Sequence, residues 1–233
     1  MKIKKDSNLA KKCLIFGFED VLIPGNIDKD VKMKNVSGIL KNLKKVEELF
    51  PRFRFFAATG YSADEALKRI EQYKLREFFP EDRIFFVNRE YLAGREEIDR
   101  KLYEQKITEN KEFKDEYFKQ VTIQAIQEKF GYTPEEMVFV GHDLWTEGYY
   151  TFRFSKIDFA LLRNSHSSLG ERKEEEIKNL TYIDRTWGDI EKLIKGEFPK
   201  PNYALLEKFV FSKMKEKLFD GTKLGALSKI AGS

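Results

Sequence analysis

The chain has 233 residues, 41% hydrophobic and 35% charged, with 21 Phe and 10 Tyr; at roughly 150 residues per domain it holds one large domain, or one domain and a small appendage. That much apolar and aromatic material fills a packed core and excludes disorder throughout. The net charge of +4 is unevenly spread: residues 1–12 carry five Lys and one Asp, and residues 197–233 carry seven Lys against four acids, which leaves the middle negative.

Solvated basic tails are the plain reading of those ends. A nucleic-acid partner is not expected, because such a module gathers basic and aromatic residues on one face, whereas Lys is interleaved with Glu between the tails. Nowhere do roughly 18 apolar residues run together, and the opening MKIKKDSNLAKK lacks the apolar stretch of a signal peptide. The expectation is a cytoplasmic protein without a membrane partner. The single cysteine, Cys13, has no partner for an internal disulfide and reads as a small buried residue. Abundant Lys and Glu beside few Gln and Asn are similar to hyperthermophile composition.

In chain order, Cys13–Phe16 is an apolar run of strand length. Val36, Ile39, Leu40, Leu43, Val46 and Leu49 follow at three and four spacing and predict a helix to about Phe50. Phe53–Ala58 is a second strand, running into Thr59-Gly60-Tyr61. Ser62-Ala63-Asp64-Glu65 then opens a helix toward Lys74 with a capping box. Ile84–Val87 is a third strand. From Tyr91 to Gly131 the pattern is helical and charged, and Thr133-Pro134-Glu135-Glu136 predicts a short capped turn. Met137–Val140 and Phe159–Leu162 are the fourth and fifth strands, and Thr181–Ile183 is a short sixth.

Strands separated by helices of this length predict an α/β fold, a Rossmann-like, mostly parallel sheet with helices on both faces. Pro199-Lys200-Pro201 divides a core domain, 1–198, from a tail, 199–233, whose Ala204, Leu205, Leu206, Phe209, Val210, Met214 and Leu218 keep helical period. That tail docks on the body or on a second copy of the chain, making a homodimer. Chemistry in such sheets gathers at the carboxyl ends of the strands. Attention therefore falls on Gly17–Val21, Thr59–Ser62, Asn88–Glu90 and Gly141–Glu147.

Taken together, these post-strand residues resemble the haloacid dehalogenase-like superfamily, over roughly residues 12–195. Its first motif, an apolar strand followed by Asp-x-Asp-Gly-Thr/Val, is matched by Leu14-Ile15-Phe16-Gly17-Phe18-Glu19-Asp20-Val21-Leu22 with both aspartates changed. The resemblance implies a magnesium-dependent phosphohydrolase acting on a phosphorylated small molecule or macromolecule. Its first aspartate is the nucleophile and a metal ligand, and the second is general acid and base. Gly17 stands at the nucleophile position and Glu19 at the second, while Asp20 takes the place usually held by glycine. By the same resemblance Thr59 and Gly60 hold phosphate, helped by the amides at the Ser62 helix start. Lys119 neutralises it, with Lys114 the next candidate, and Asp143, Glu147 and Glu19 hold Mg2+. His142 intervenes where the first fourth-motif acid normally follows the glycine. Any lid is a small helical one within 90–117.

Plainer readings stand beside these. Thr59-Gly60 is also an ordinary strand end and turn, Lys119 an ordinary surface charge, and His166 an exposed residue of a polar loop. Three accounts of Gly17 stay open. In the first, Gly17 is an engineered or accidental substitution of the nucleophile in an otherwise intact magnesium-dependent phosphatase. In the second, catalysis is naturally lost and a phosphate-ligand or partner-binding regulatory protein remains. In the third, Glu19 or Asp143 activates a metal-bound water directly.

Overall fold

A computed structural model of the chain describes residues 3–4, 8–24, 36–87, 97, 101, 105, 117–143, 147–148, 151, 155–162, 182–183, 186–198 and 208, with the side chains of 117–121 and 182–183 outside the description. Apart from residues 97, 101, 105, 117 and 208, the segments assigned above to a lid and a C-terminal helix lie outside the described residues, as do Lys114, His166, Asn88–Glu90 and the Lys119 side chain.

Six parallel strands form one sheet in the order β3-β2-β1-β4-β5-β6: β1 Cys13–Gly17, β2 Arg54–Thr59, β3 Ile84–Phe86, β4 Met137–Gly141, β5 Asp158–Leu162 and β6 Tyr182–Ile183. β1 is central. It pairs with β2 from Cys13↔Arg54 to Gly17↔Ala58 and with β4 from Cys13↔Met137 to Phe16↔Val140. The chain steps outward through β2 and β3, then returns across β1 to begin β4. The boundary between β1 and β4 is thus the switch point where such sheets leave a crevice.

Strand alternation sends residues to two cores. Leu14, Phe16, Phe55, Ala57, Val138 and Val140 pack on one face with α1 (Val36–Leu49) and with Ile190, Leu193 and Ile194 of α4 (Trp187–Lys195). Cys13, Ile15, Phe56, Ala58, Met137 and Phe139 pack on the other with Ile123 and Ile126 of α3 (Tyr117–Phe130). Helices cover both faces as expected, and each central strand reads as a continuous buried run because neither side meets water. Burial pushes the Cys13 thiol well above its ordinary value, consistent with a small packed residue.

Local signals set the helix ends. Ser62 Oγ accepts from Glu65 N at 3.4 Å and starts α2 (Ala63–Gln72). Glu136 accepts from Thr133 N at 3.2 Å across the 3-10 turn Pro134–Glu136 that leads into β4. The helix α4 is an addition to the sequence reading. Its cap was present in the sequence, since Thr186 accepts from Asp189 N at 3.2 Å and Gly196 ends the helix with φ 72°. Ahead of β1, Lys11 reaches Asp158 at 2.5 Å and the Glu135 carbonyl at 2.6 Å, tying the entering chain to β5 and the turn before β4.

Candidate functional site

Three neighbouring strands, β2, β1 and β4, end together at Thr59, Gly17 and Gly141. Beyond β1, Phe18 N extends the ladder to Ala58 O at 2.9 Å, and Leu22 and Ile23 N–H both return to Phe18 O at 3.0 Å, closing a tight turn. Asp20 sits within it at φ 56°. Aspartate tolerates this left-handed region better than most side chains, which is how it stands where the resembled motif has glycine.

Glu19 turns toward β2. Its Oε1 accepts from Thr59 Oγ1 at 2.7 Å and from Gly60 N at 3.2 Å, and Tyr61 N donates to Thr59 Oγ1 at 3.1 Å. The fully buried Thr59 and the Gly60 amide therefore form an oxygen seat, and a carboxylate of the protein itself occupies it.

A second seat lies after β4. Glu147, 4% exposed, presents Oε2 to His142 N at 2.7 Å and Asp143 N at 3.0 Å. The loop is pinned in turn by Glu147 N and Gly148 N, which donate to Asp143 O at 3.2 and 3.1 Å. A Cβ built on Gly17 would stand 2.7 Å from Glu147 Oε1. One built on Gly141 would collide with Glu147 Oε2 and come within 2.9 Å of Phe159. Both glycines have ordinary backbone, outside the positive-φ set of the described residues. Their missing side chains are accounted for by space, and the Glu147 carboxylate takes that space.

His142 bridges the two loops, with Nδ1 3.3 Å from Glu147 Oε2 and Nε2 3.8 Å from Asp20 Oδ2. Burial opposes the imidazolium, but the Glu147 carboxylate together with Asp20 and Asp143 outweighs it, and the His142 pKa rises above its ordinary 6.5. A raised folded-state pKa gives stability that is complete below the unfolded value and is lost as pH climbs through the folded value. The unfolding midpoint is therefore expected to fall as pH rises above 6.5, and His142→Gln to flatten that part of the profile. A profile unchanged by the exchange contradicts the bridge.

These groups line an open cavity of about 220 Å³ formed by Glu19, Ala58, Gly60, Val87, His142, Asp143 and Glu147. Three carboxylates face it, and no lysine or arginine joins them among the described residues. The structure brings Glu19, Thr59, Gly60, Asp143 and Glu147 to one place. Sequence reasoning did not foresee that Glu147 would lie against Gly17. Magnesium prefers near-octahedral oxygen ligands, yet among the described residues no three acid or histidine side chains converge to hold a metal ion. Glu19 and Glu147 each commit an oxygen to donors of the chain itself. As arranged, this donor set does not fit the ion, and a cation reaching all three acids would have to draw Glu147 from between the glycines.

No family model matches the chain, and no curated protein does. Among solved structures, the cobalt-bound form of the deoxy-D-mannose-octulosonate 8-phosphate phosphatase from Haemophilus influenzae is similar, with a TM-score of 0.43 and 11% identity over 79% of this chain and 87% of that one. Among the described residues no helix is long and apolar enough to cross a membrane. The likeness is one of α/β architecture alone, and the Rossmann-like fold of this chain stands on its own strand order and registers.

Proposed function

We propose that this chain is a haloacid dehalogenase-like protein in which phosphoester hydrolysis through an aspartyl phosphate is lost, and that its pocket serves binding or regulation. The observation that supports this reading is the Glu147 carboxylate lying 2.7 Å from where a Cβ of residue 17 would stand. Glycine offers no nucleophile, and the neighbouring space is filled by a carboxylate already committed to two backbone amides.

The ligand class follows from the seats. Thr59 and Gly60 are oxygen-binding donors, so a phosphorylated small molecule or macromolecule is the matching partner, with Lys119 as the counter-charge. Such a ligand must displace Glu19 from Thr59, because two anions cannot share one donor pair, and like charges a few ångströms apart in a partly buried pocket repel by about 4 kcal/mol at an effective dielectric near 20. Binding is therefore expected to be weak near neutral pH and to strengthen in Glu19→Gln.

Hydrolysis of a generic aryl phosphate with and without Mg2+ tests the proposal. The unaltered chain is expected to release no product above an unfolded control, while inorganic phosphate raises its unfolding midpoint through mass action. A magnesium-dependent rate that Glu19→Gln abolishes overturns the reading and returns the site to catalysis.

A further inference from the structure

Gly17 and Gly141 end adjacent central strands, and a single side chain explains both. Their backbones lie outside the region that favours glycine, so neither is required by chain geometry. Over Gly17, the atoms nearest an added Cβ are Glu147 Oε1 at 2.7 Å, Val21 Cγ2 at 3.4 Å and Glu147 Cδ at 3.6 Å. Over Gly141, the nearest is again a Glu147 oxygen, with Glu147 Cδ and Phe159 Cε2 both at 2.9 Å.

The end of a glutamate side chain usually yields cheaply to a new neighbour. Here it does not, because Glu147 is buried and its Oε2 is held by His142 N and Asp143 N. Moving it costs the charge-assisted bonds of a buried carboxylate and leaves two amides without that acceptor.

We propose that Glu147 is the built-in occupant of the space that a side chain at position 17 would need, filling the gap over Gly17 and Gly141 where β1 and β4 end. It builds on the reading above and adds to it. The carboxylate of this site is supplied by the loop after β4 instead of by β1, and any ligand reaching Gly17 must first dislodge it. Gly17 and Glu147 are then a matched pair, and exchanging one alters the effect of exchanging the other.

The test is a stability cycle, read as unfolding midpoints of full-length chains: unaltered, Gly17→Ala, Glu147→Ala and the double variant. Gly17→Ala alone is expected to lower the midpoint by roughly 4 °C, the scale of modest overpacking in a chain of this size. In the Glu147→Ala background the same exchange is expected to be neutral or to raise the midpoint, since alanine in an extended strand is ordinarily favoured over glycine. Glu147→Asp, which withdraws the carboxylate by one methylene, should give an intermediate result. If Gly17→Ala fails to fold and Glu147→Ala rescues it, the pairing is supported. An equal penalty in both backgrounds, or a double variant that fails to fold where Glu147→Ala folds, overturns it. The readout is independent of turnover, so hydrolysis by the unaltered chain would remove the functional reading and leave this one standing.

Discussion

Gly17→Asp, the exchange that rebuilds the resembled nucleophile, is expected to lower the unfolding midpoint by about 4–8 °C and to give no aryl phosphate hydrolysis. Overpacking a filled site costs typically about 1–3 kcal/mol, and near 2 kcal/mol each kcal/mol moves the midpoint by about 2–4 °C in a chain of this length. The cause is specific. The new side chain starts 2.7 Å from Glu147 Oε1, and its carboxylate would face another carboxylate in a buried crevice. Paired carboxylates of this kind do not both ionise readily. Thermal unfolding and a magnesium-dependent assay on one preparation check the result. A stable and active Gly17→Asp chain would mean that Glu147 withdraws easily, and that a single lost side chain silences an otherwise complete phosphatase.

Phe56→Ala is expected to cost about 3–5 kcal/mol, the range for a buried phenylalanine cut to alanine. Phe56 is 1% exposed, meets Phe85 edge-on at 5.5 Å with an interplanar angle of 87°, and meets Phe130 of α3 at 5.0 Å. It joins β2, β3 and α3 on the sheet face opposite α1. Chemical denaturation measures the change, with the exposed Lys41→Ala as a reference expected to stay within about 0.5 kcal/mol. A loss under about 1 kcal/mol for Phe56→Ala contradicts the packing of α3 on that face.

The sheet was legible because its strands are continuous apolar runs bounded by strong punctuation. Cys13–Phe16 and Met137–Val140 extend by one residue in the structure, to Gly17 and Gly141, since glycine carries no hydropathy signal yet continues the ladder. The helix α4 is weakly signalled because Trp187-Gly188 is a poor helical start, although its Thr186 cap and Gly196 stop are both present. At the site, the rule that chemistry follows the strand ends marked the stretches 17–21, 59–62 and 141–147, and the resemblance singled out Glu19, Thr59, Gly60, Asp143 and Glu147 within them. Their mutual bonds could not be read. Whether Glu147 points toward a metal or into the gap over Gly17 depends on where the β4 loop aims its amides, and adjacency in sequence fixes no such direction. His142, which intervenes where the resembled motif has its first acid, stands between Asp20 and Glu147.

The placement of Glu147 is therefore the point to test most directly, by native-state amide hydrogen exchange at residues 142 and 143 in the unaltered chain and in Glu147→Ala. The account predicts that the His142 and Asp143 amides, which donate to Glu147 Oε2 at 2.7 and 3.0 Å, are protected in the unaltered chain and lose that protection in the variant, while the amide of Phe139 within β4 is unaffected. Equal exchange at 142 and 143 in both proteins would show that the carboxylate does not sit between the two glycines, and the account of the site would fail with it.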